Sequence, residues 1–105
     1  MDVDKFFIFA SEEFDAEMDI MRDKGREYTV HNSDKLHNFK SIAERTGLKT
    51  EVVLLVYLLK HMDSIRNFIQ EGVEASDEPI AGRIRDARNY LLLLSAIIQE
   101  ARNSD

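Results

Sequence analysis

The sequence predicts an all-α protein, a four-helix bundle completed by dimerisation, and three observations carry that reading. Apolar residues recur at steps of three and four along four stretches, the spacing that lines one side of a helix. Three of the four glycines, Gly25, Gly47 and Gly72, stand where such a stretch ends. The composition, 44% hydrophobic and 32% charged with a single proline, is that of a helical globular chain and not of a disordered one.

A chain of 105 residues is one domain, residues 1–105, able to bury about two-thirds of its unfolded surface. It has no cysteine, so neither a disulfide nor a thiolate metal site is available. The net charge of -6 argues against binding nucleic acid through phosphate neutralisation. The apolar run at residues 6–10 is too short for a secretory signal and follows Asp2 and Asp4, where a signal has cations. Residues 54–59 are far short of a membrane span. These features predict a cytoplasmic protein with no membrane partner.

The first helix is expected over residues 3–24. Val3, Phe6 or Phe7, Ala10, Phe14, Met18 and Met21 keep helical spacing, while Glu12, Glu13, Asp15 and Asp19 fill the outer faces. Phe6, Phe7 and Phe9 exceed what one stripe can bury, so they are either a frayed apolar terminus or a subunit contact. Residues 26–32 have no period and read as a loop. Ser33 or Asp34 caps a short second helix to residue 46, with Leu36, Phe39, Ile42 and Ala43 on its inner side.

Thr50 caps a long third helix whose apolar positions Val52, Leu55, Leu58 or Leu59, Met62, Ile65 and Ile69 continue to Gly72. Its first half, VVLLVYLL, is apolar nearly all round, which predicts the most buried helix and a dimer contact there or on the first helix. Ser76 or Asp77 caps the last helix, expected over 78–102, where Pro79 is tolerated because first-turn amides lack an intrahelical acceptor.

This last helix carries the cleanest seam of the chain: Ile80, Ile84, Ala87, Leu91, Leu94, Ile98 and Ala101. Beside it runs a second row, Gly82, Asp86, Tyr90, Leu93 and Ile97, which places the Asp86 carboxylate within the broad apolar face. A carboxylate there needs a cation, a metal ion or hydrogen-bond donors. Lys60 and Asp63 on the third helix are three apart, as are Asp86 and Asn89, so in an antiparallel hairpin the pairs can meet. Two outcomes compete. Lys60 neutralises Asp86 in a structural ion pair, or Asp63, Glu78 and Asp86 converge on a divalent ion. Magnesium needs only one or two carboxylates when phosphate oxygens complete its shell.

Other chemistry is weaker. His31, His37 and His61 lack metal-ligand spacing, the serines lack an elbow-like glycine context, and no glycine-rich phosphate loop is present. Lys24, Arg26, Lys35, Lys40 and Arg83 are candidate phosphate contacts. Ala43, Gly47 and Val53 stand at the offsets of a DNA-reading helix-turn-helix. A recognition helix must present polar and basic side chains to the groove, yet after Glu51 this one offers eight apolar residues. The motif therefore reads as a helix-helix corner, and DNA binding is the weakest of the readings.

KGREYT at residues 24–29, DKLHNFK at 34–40, YLLKHMDSI at 57–65 and EPIAGRIRDARNYLLLL at 78–94 together resemble small helical proteins of phages and prokaryotes. These are similar to the all-α nucleoside triphosphate pyrophosphatases, the MazG and dUTPase-like group. The resemblance implies acidic residues on two antiparallel helices that bind Mg2+, and cleavage of a nucleotide between its α and β phosphates by a metal-activated water. Carried over by position, Asp86 matches the final acid of the last metal-binding helix, followed by Asn89 and Tyr90. Glu78 matches an acid at that helix's start, and Lys60 a basic residue on the facing helix. Glu78 and Asp86 would then be catalytic, Asp63, Glu78 and Asp86 would hold the metal, and Lys24, Lys60, Arg83, Asn89 and Tyr90 would bind the nucleotide.

Two departures stand out. The paired glutamates of the family's earlier helix are missing from the third helix here, and Gly82 occupies a position that commonly holds another acid. The resemblance thus implies either a Mg2+-dependent pyrophosphohydrolase or an inactive nucleotide-binding relative; a homodimer is expected separately, from the apolar third or first helix. The alternative is a small phage-type interaction or regulatory protein without catalysis.

Overall fold

A computed structural model describes the backbone of residues 1–28, 36–74, 76 and 79–103, and the side chains of all of these except 24–28. Among the described residues there are four helices and no strand: α1 (Val3–Tyr28), α2 (His37–Thr46), α3 (Thr50–Glu71) and α4 (Ile80–Asn103). The chain divides into two compact units, Met1–Lys35, which holds α1, and Leu36–Asp105, which holds the other three helices.

Helix α1 opens with Asp2, whose Oδ1 accepts the Lys5 backbone N–H at 2.8 Å and so satisfies one of the free amides of the first turn. It continues through Gly25 to Tyr28 and does not stop at residue 24. A glycine inside a helix costs about 1 kcal/mol, too little to end a helix of this length. Phe6, Phe7, Phe9 and Phe14 are all exposed, and Phe6 and Phe7 pack edge to face on each other.

In the second unit, α2 and α3 meet at a tight corner. Gly47 adopts the left-handed conformation, φ 74°, that L-residues avoid. Thr46 Oγ1 donates to the Ile42 carbonyl at 2.7 Å, and Val52 and Val53 donate their amides to the Lys49 carbonyl. The helix-helix corner expected from Ala43, Gly47 and Val53 is formed, with Ala43 and Val53 buried. Ser33 and Asp34, expected to cap α2, lie outside the described residues. Helix α3 ends as expected at Gly72, again left-handed, whose N–H donates to the Phe68 carbonyl at 2.9 Å. Helix α4 begins at Ile80, whose N–H is taken by the Glu74 carboxylate at 2.7 Å, while Gly82 and Arg83 donate to the Pro79 carbonyl. Asp77 lies outside the described residues.

Helices α3 and α4 form an antiparallel hairpin, since Tyr57 stacks on Tyr90 while His61, later in α3, reaches Asp86, earlier in α4. The buried centre joins Leu36, Leu54, Leu93 and Ile97, with Phe39, Tyr90 and Leu94 packed around it. Leu54 is the most buried side chain, at 1% exposure. Helix α2 lies across one side of the hairpin: Phe39 meets both Tyr57 and Tyr90 edge to face, and Lys40 pairs with Glu100 of α4 at 2.5 Å.

The rows that face inward are not the ones with the highest apolar content. In α3 the inner row is Leu54, Tyr57, His61, Ile65 and Phe68, buried or half-buried, while Val52, Leu55, Leu59, Met62 and Ile69 are exposed. In α4 the inner row is Asp86, Tyr90, Leu93 and Ile97, while Ile84, Leu91 and Ile98 of the cleaner seam are exposed. The expectation that α3 would be the most buried helix all round is therefore corrected: one half of its surface packs and the other half does not. At roughly 100° per residue, the exposed row of α3 is turned about 130° from His61 and that of α4 about 100° from Tyr90, in the same rotational sense. In an antiparallel pair, equal rotations from the facing residues lead to the same side of the hairpin. The two exposed rows therefore adjoin, on the side opposite α2.

Candidate functional site

The inner rows place a polar group beside an aromatic one. Tyr57 and Tyr90 stack with ring centroids 6.0 Å apart and planes 17° apart, and Phe39 closes on both rings, at 5.8 Å and 6.3 Å. Offset and edge-to-face contacts of this kind add about 0.5–1.5 kcal/mol per pair beyond area burial. His61 tilts over the other edge of Tyr90 at 5.1 Å. One turn further along α3 from Tyr57, and one turn earlier in α4 than Tyr90, the chemistry becomes ionic.

His61 Nδ1 lies 4.0 Å from Asp86 Oδ2 and 3.5 Å from Arg83 Nη1. One nitrogen cannot serve both neighbours in the same way. A neutral ring with a bare Nδ1 accepts from Arg83, whereas an imidazolium pairs with Asp86. The His61 side chain is 14% exposed and that of Asp86 37%. Asp86 is thus half-buried, not a buried charge, and among the described residues no polar or charged residue is fully buried. The need for a compensating buried cation, inferred from the apolar surroundings of Asp86 in the sequence, falls away, because water reaches this carboxylate.

The expected site residues separate into three groups. Arg83, Asp86, Asn89 and Tyr90 lie together on α4, all half-buried. Asn89 Oδ1 is buried and accepts no hydrogen bond among the described residues. A buried acceptor left without a partner costs about 1–3 kcal/mol and marks a place where a donor fits. Lys60 and Asp63 are exposed on α3, turned roughly 100° and 160° round the helix from His61. The α3 residue brought to Asp86 is therefore His61, the neighbour of Lys60. Glu78 and the side chain of Lys24 lie outside the described residues.

His61, Tyr57 and Phe39 went unrecognised as site residues in the sequence. Their signal was present: Leu54, Tyr57, His61, Ile65 and Phe68 are spaced by three and four, a row as regular as the exposed one beside it. Among the described residues no group of three or more His, Asp or Glu side chains is placed to hold a metal ion. No helix among them is long and apolar enough to cross a membrane. Comparison with known protein families, with characterised proteins and with solved structures found no match.

Proposed function

We propose that the chain is a MazG-like nucleotide-handling protein, and that α4 carries its phosphate-binding edge. The observation that supports this most is the grouping of a guanidinium, a half-exposed carboxylate and an unpartnered buried amide oxygen within two turns of one helix, Arg83, Asp86 and Asn89, against the rings of Tyr90 and His61. A guanidinium matches phosphate oxygens in a fixed fork. A buried amide oxygen without a donor suits a base or sugar N–H or O–H, and bases stack on aromatic rings.

The donor set fits a magnesium ion that arrives with its phosphates, not a cage made by protein alone. Such an ion keeps several waters and needs one or two carboxylates. Asp86 would hold it, with Glu78 as the further acid that the resemblance implies, while Asp63 is turned roughly 160° round α3 from His61 and stands apart; when bound, the ion would neutralise phosphate charge and polarise a water. The chain's own residues orient the nucleotide: Arg83 opposes phosphate charge, and Tyr90 and Asn89 position the rest. In the full form of this reading, Glu78 and Asp86 are catalytic and the chain is a pyrophosphohydrolase. In the reduced form it binds nucleotides without turnover.

The non-catalytic alternative, a small interaction protein, is favoured by a different observation, the exposed apolar rows of the hairpin. The helix-turn-helix reading draws on the formed corner alone, since the side chains exposed over residues 50–59 of α3 are Val52, Leu55, Val56 and Leu59.

A thermal-shift series with nucleoside triphosphates and diphosphates, with and without Mg2+, tests the proposal. A ligand present at a hundred times its Kd adds about 2.7 kcal/mol to the stability of the folded state, which for a chain of this size is a rise of roughly 10 °C or more. The expected result is a rise that needs both nucleotide and Mg2+ and is lost in Asp86→Asn. No rise with any nucleotide rejects the reading in favour of the interaction protein.

A further inference from the structure

Helix α1 is the longest helix among the described residues, and none of its described side chains is a buried hydrophobic. Helices in proteins draw most of their stability from packing an apolar stripe, because an isolated helix is marginal in water. α1 has such a stripe. At roughly 100° per residue, Val3, Phe7, Phe14 and Met18 fall within about 60° of one another. All four are between 43% and 70% exposed, and Phe6 packs edge to face on Phe7 and widens the stripe. This is not a frayed terminus. The Asp2 carboxylate accepts the Lys5 N–H at 2.8 Å and the Asp2 carbonyl accepts the Phe6 N–H at 2.9 Å, so Val3 and Phe7 project from a closed first turn.

The charge of the chain is gathered on the same helix. Residues 1–23 hold eight acids and two bases, and residues 24–105 hold twelve of each, so the whole net charge of -6 stands on α1 and the two residues before it. Asp4, Asp15 and Asp19 border the stripe along one edge, roughly 40–100° beyond Met18.

From this we infer that α1 is a docking helix for a different protein, and lays Val3, Phe7, Phe14 and Met18 along the apolar row of a helix flanked by lysine and arginine. Charge selects this occupant. A second copy would set one net-negative helix against another, and opposed like charges destabilise a helix pair. An anionic membrane surface repels α1 for the same reason. The remainder of the chain, balanced in charge, has no excess of cations to answer it. A basic amphipathic helix meets both features at once: its apolar row covers the stripe, and its cations face the acidic edge as flanking charges do in coiled coils. Residues 3–18 span roughly 23 Å, so the contact is about four turns long. None of these residues belongs to the α4 site, and docking and nucleotide binding can therefore fail separately.

Fluorescence anisotropy tests the docking, with the full chain titrated into a labelled synthetic peptide of about three heptads, Leu at the a and d positions and Lys elsewhere. The expected dissociation constant is on the order of micromolar, and the same peptide with Glu for every Lys is not bound. Phe7→Ala and Phe14→Ala are each expected to weaken binding about tenfold, with helical circular dichroism retained. Should either lose α1, the pair Asp4→Asn and Asp15→Asn, which removes no apolar contact, is expected to weaken binding about threefold or more, as is a rise in NaCl to about 0.5 M. Leu59→Ala, on α3, is expected to leave it within about twofold. No binding of the Lys peptide overturns the inference, as does equal binding of the Glu peptide. Binding that responds to Leu59→Ala and to none of the α1 variants overturns it too. Sedimentation as two chains, or capture by phosphatidylcholine vesicles, lost in either case in Phe14→Ala, would assign the stripe to a second copy or a lipid surface and equally overturn it.

Discussion

The two sides of the α3–α4 hairpin are built from different materials. On the inner side, Tyr57 stacks on Tyr90, Phe39 packs edge-on to both, and His61 stands over Tyr90 with Asp86 and Arg83 at its Nδ1. On the outer side stand aliphatic residues and a methionine at near-heptad intervals. Ring contacts and ionic neighbours are directional, so they define which turn of α3 meets which turn of α4. Aliphatic rows are generic, and they gain free energy against almost any matching apolar row. The inner side settles register within the chain; the outer side does not.

Four substitutions sharpen or break this contrast. Leu93→Ala removes a buried inner side chain and is expected to cost about 2–5 kcal/mol, while Leu91→Ala, two residues earlier and half exposed, costs no more than about 1 kcal/mol within a single chain. Urea unfolding of both variants at low protein concentration reads the difference, and equal losses would mean that the two rows do not differ as described. Gly47→Ala acts through the corner that brings α2 to the inner side. A Cβ there meets nothing within 4 Å, so the expected loss of about 1–2 kcal/mol comes from the positive φ alone. The same titration measures it, and a neutral result would show that the corner relaxes without disturbing α2. Lys40→Ala removes the exposed tie between α2 and Glu100 and is expected to cost between 0 and about 1 kcal/mol, less still in high salt. A larger loss would make the tie, and not the aromatic cluster, the means by which α2 is held.

Much of the helical framework was legible in the sequence. Helix α3 ends where its glycine signal marks, but Thr50, expected as its cap, is its first helical residue, with Lys49 before it and no side-chain cap; both Gly47 and Gly72 take the left-handed conformation that makes glycine a stop. Gly25 gave the same signal and did not stop α1, because the conformation of a glycine, not its presence, ends a helix. The facing of α3 and α4 was less legible, for a physical reason. Counting apolar residues ranks Ile84, Leu91 and Ile98 above a row containing Asp86 and Tyr90, and Leu55, Leu59 and Met62 above one containing Tyr57 and His61. What packs within one chain is the row whose shapes and charges answer each other, and composition does not register that match. For the same reason His61 does not stand out beside Lys60 and Asp63, although it alone of the three has the spacing of the inner row. The grouping of Arg83, Asp86, Asn89 and Tyr90 could be read from intervals of three and four on one helix, while the half-exposure of Asp86 could not, since it depends on where α2 stops covering the hairpin.

The corner at Gly47 also bears on how quickly the second unit assembles. Three residues, 47–49, separate α2 from α3, and eight, 72–79, separate α3 from α4, so every loop that must close is short. Helices that pack on their neighbours in sequence give low contact order, and such units refold in microseconds to milliseconds. The inner side is then reached by a rapid first-order search, at a rate that dilution leaves unchanged.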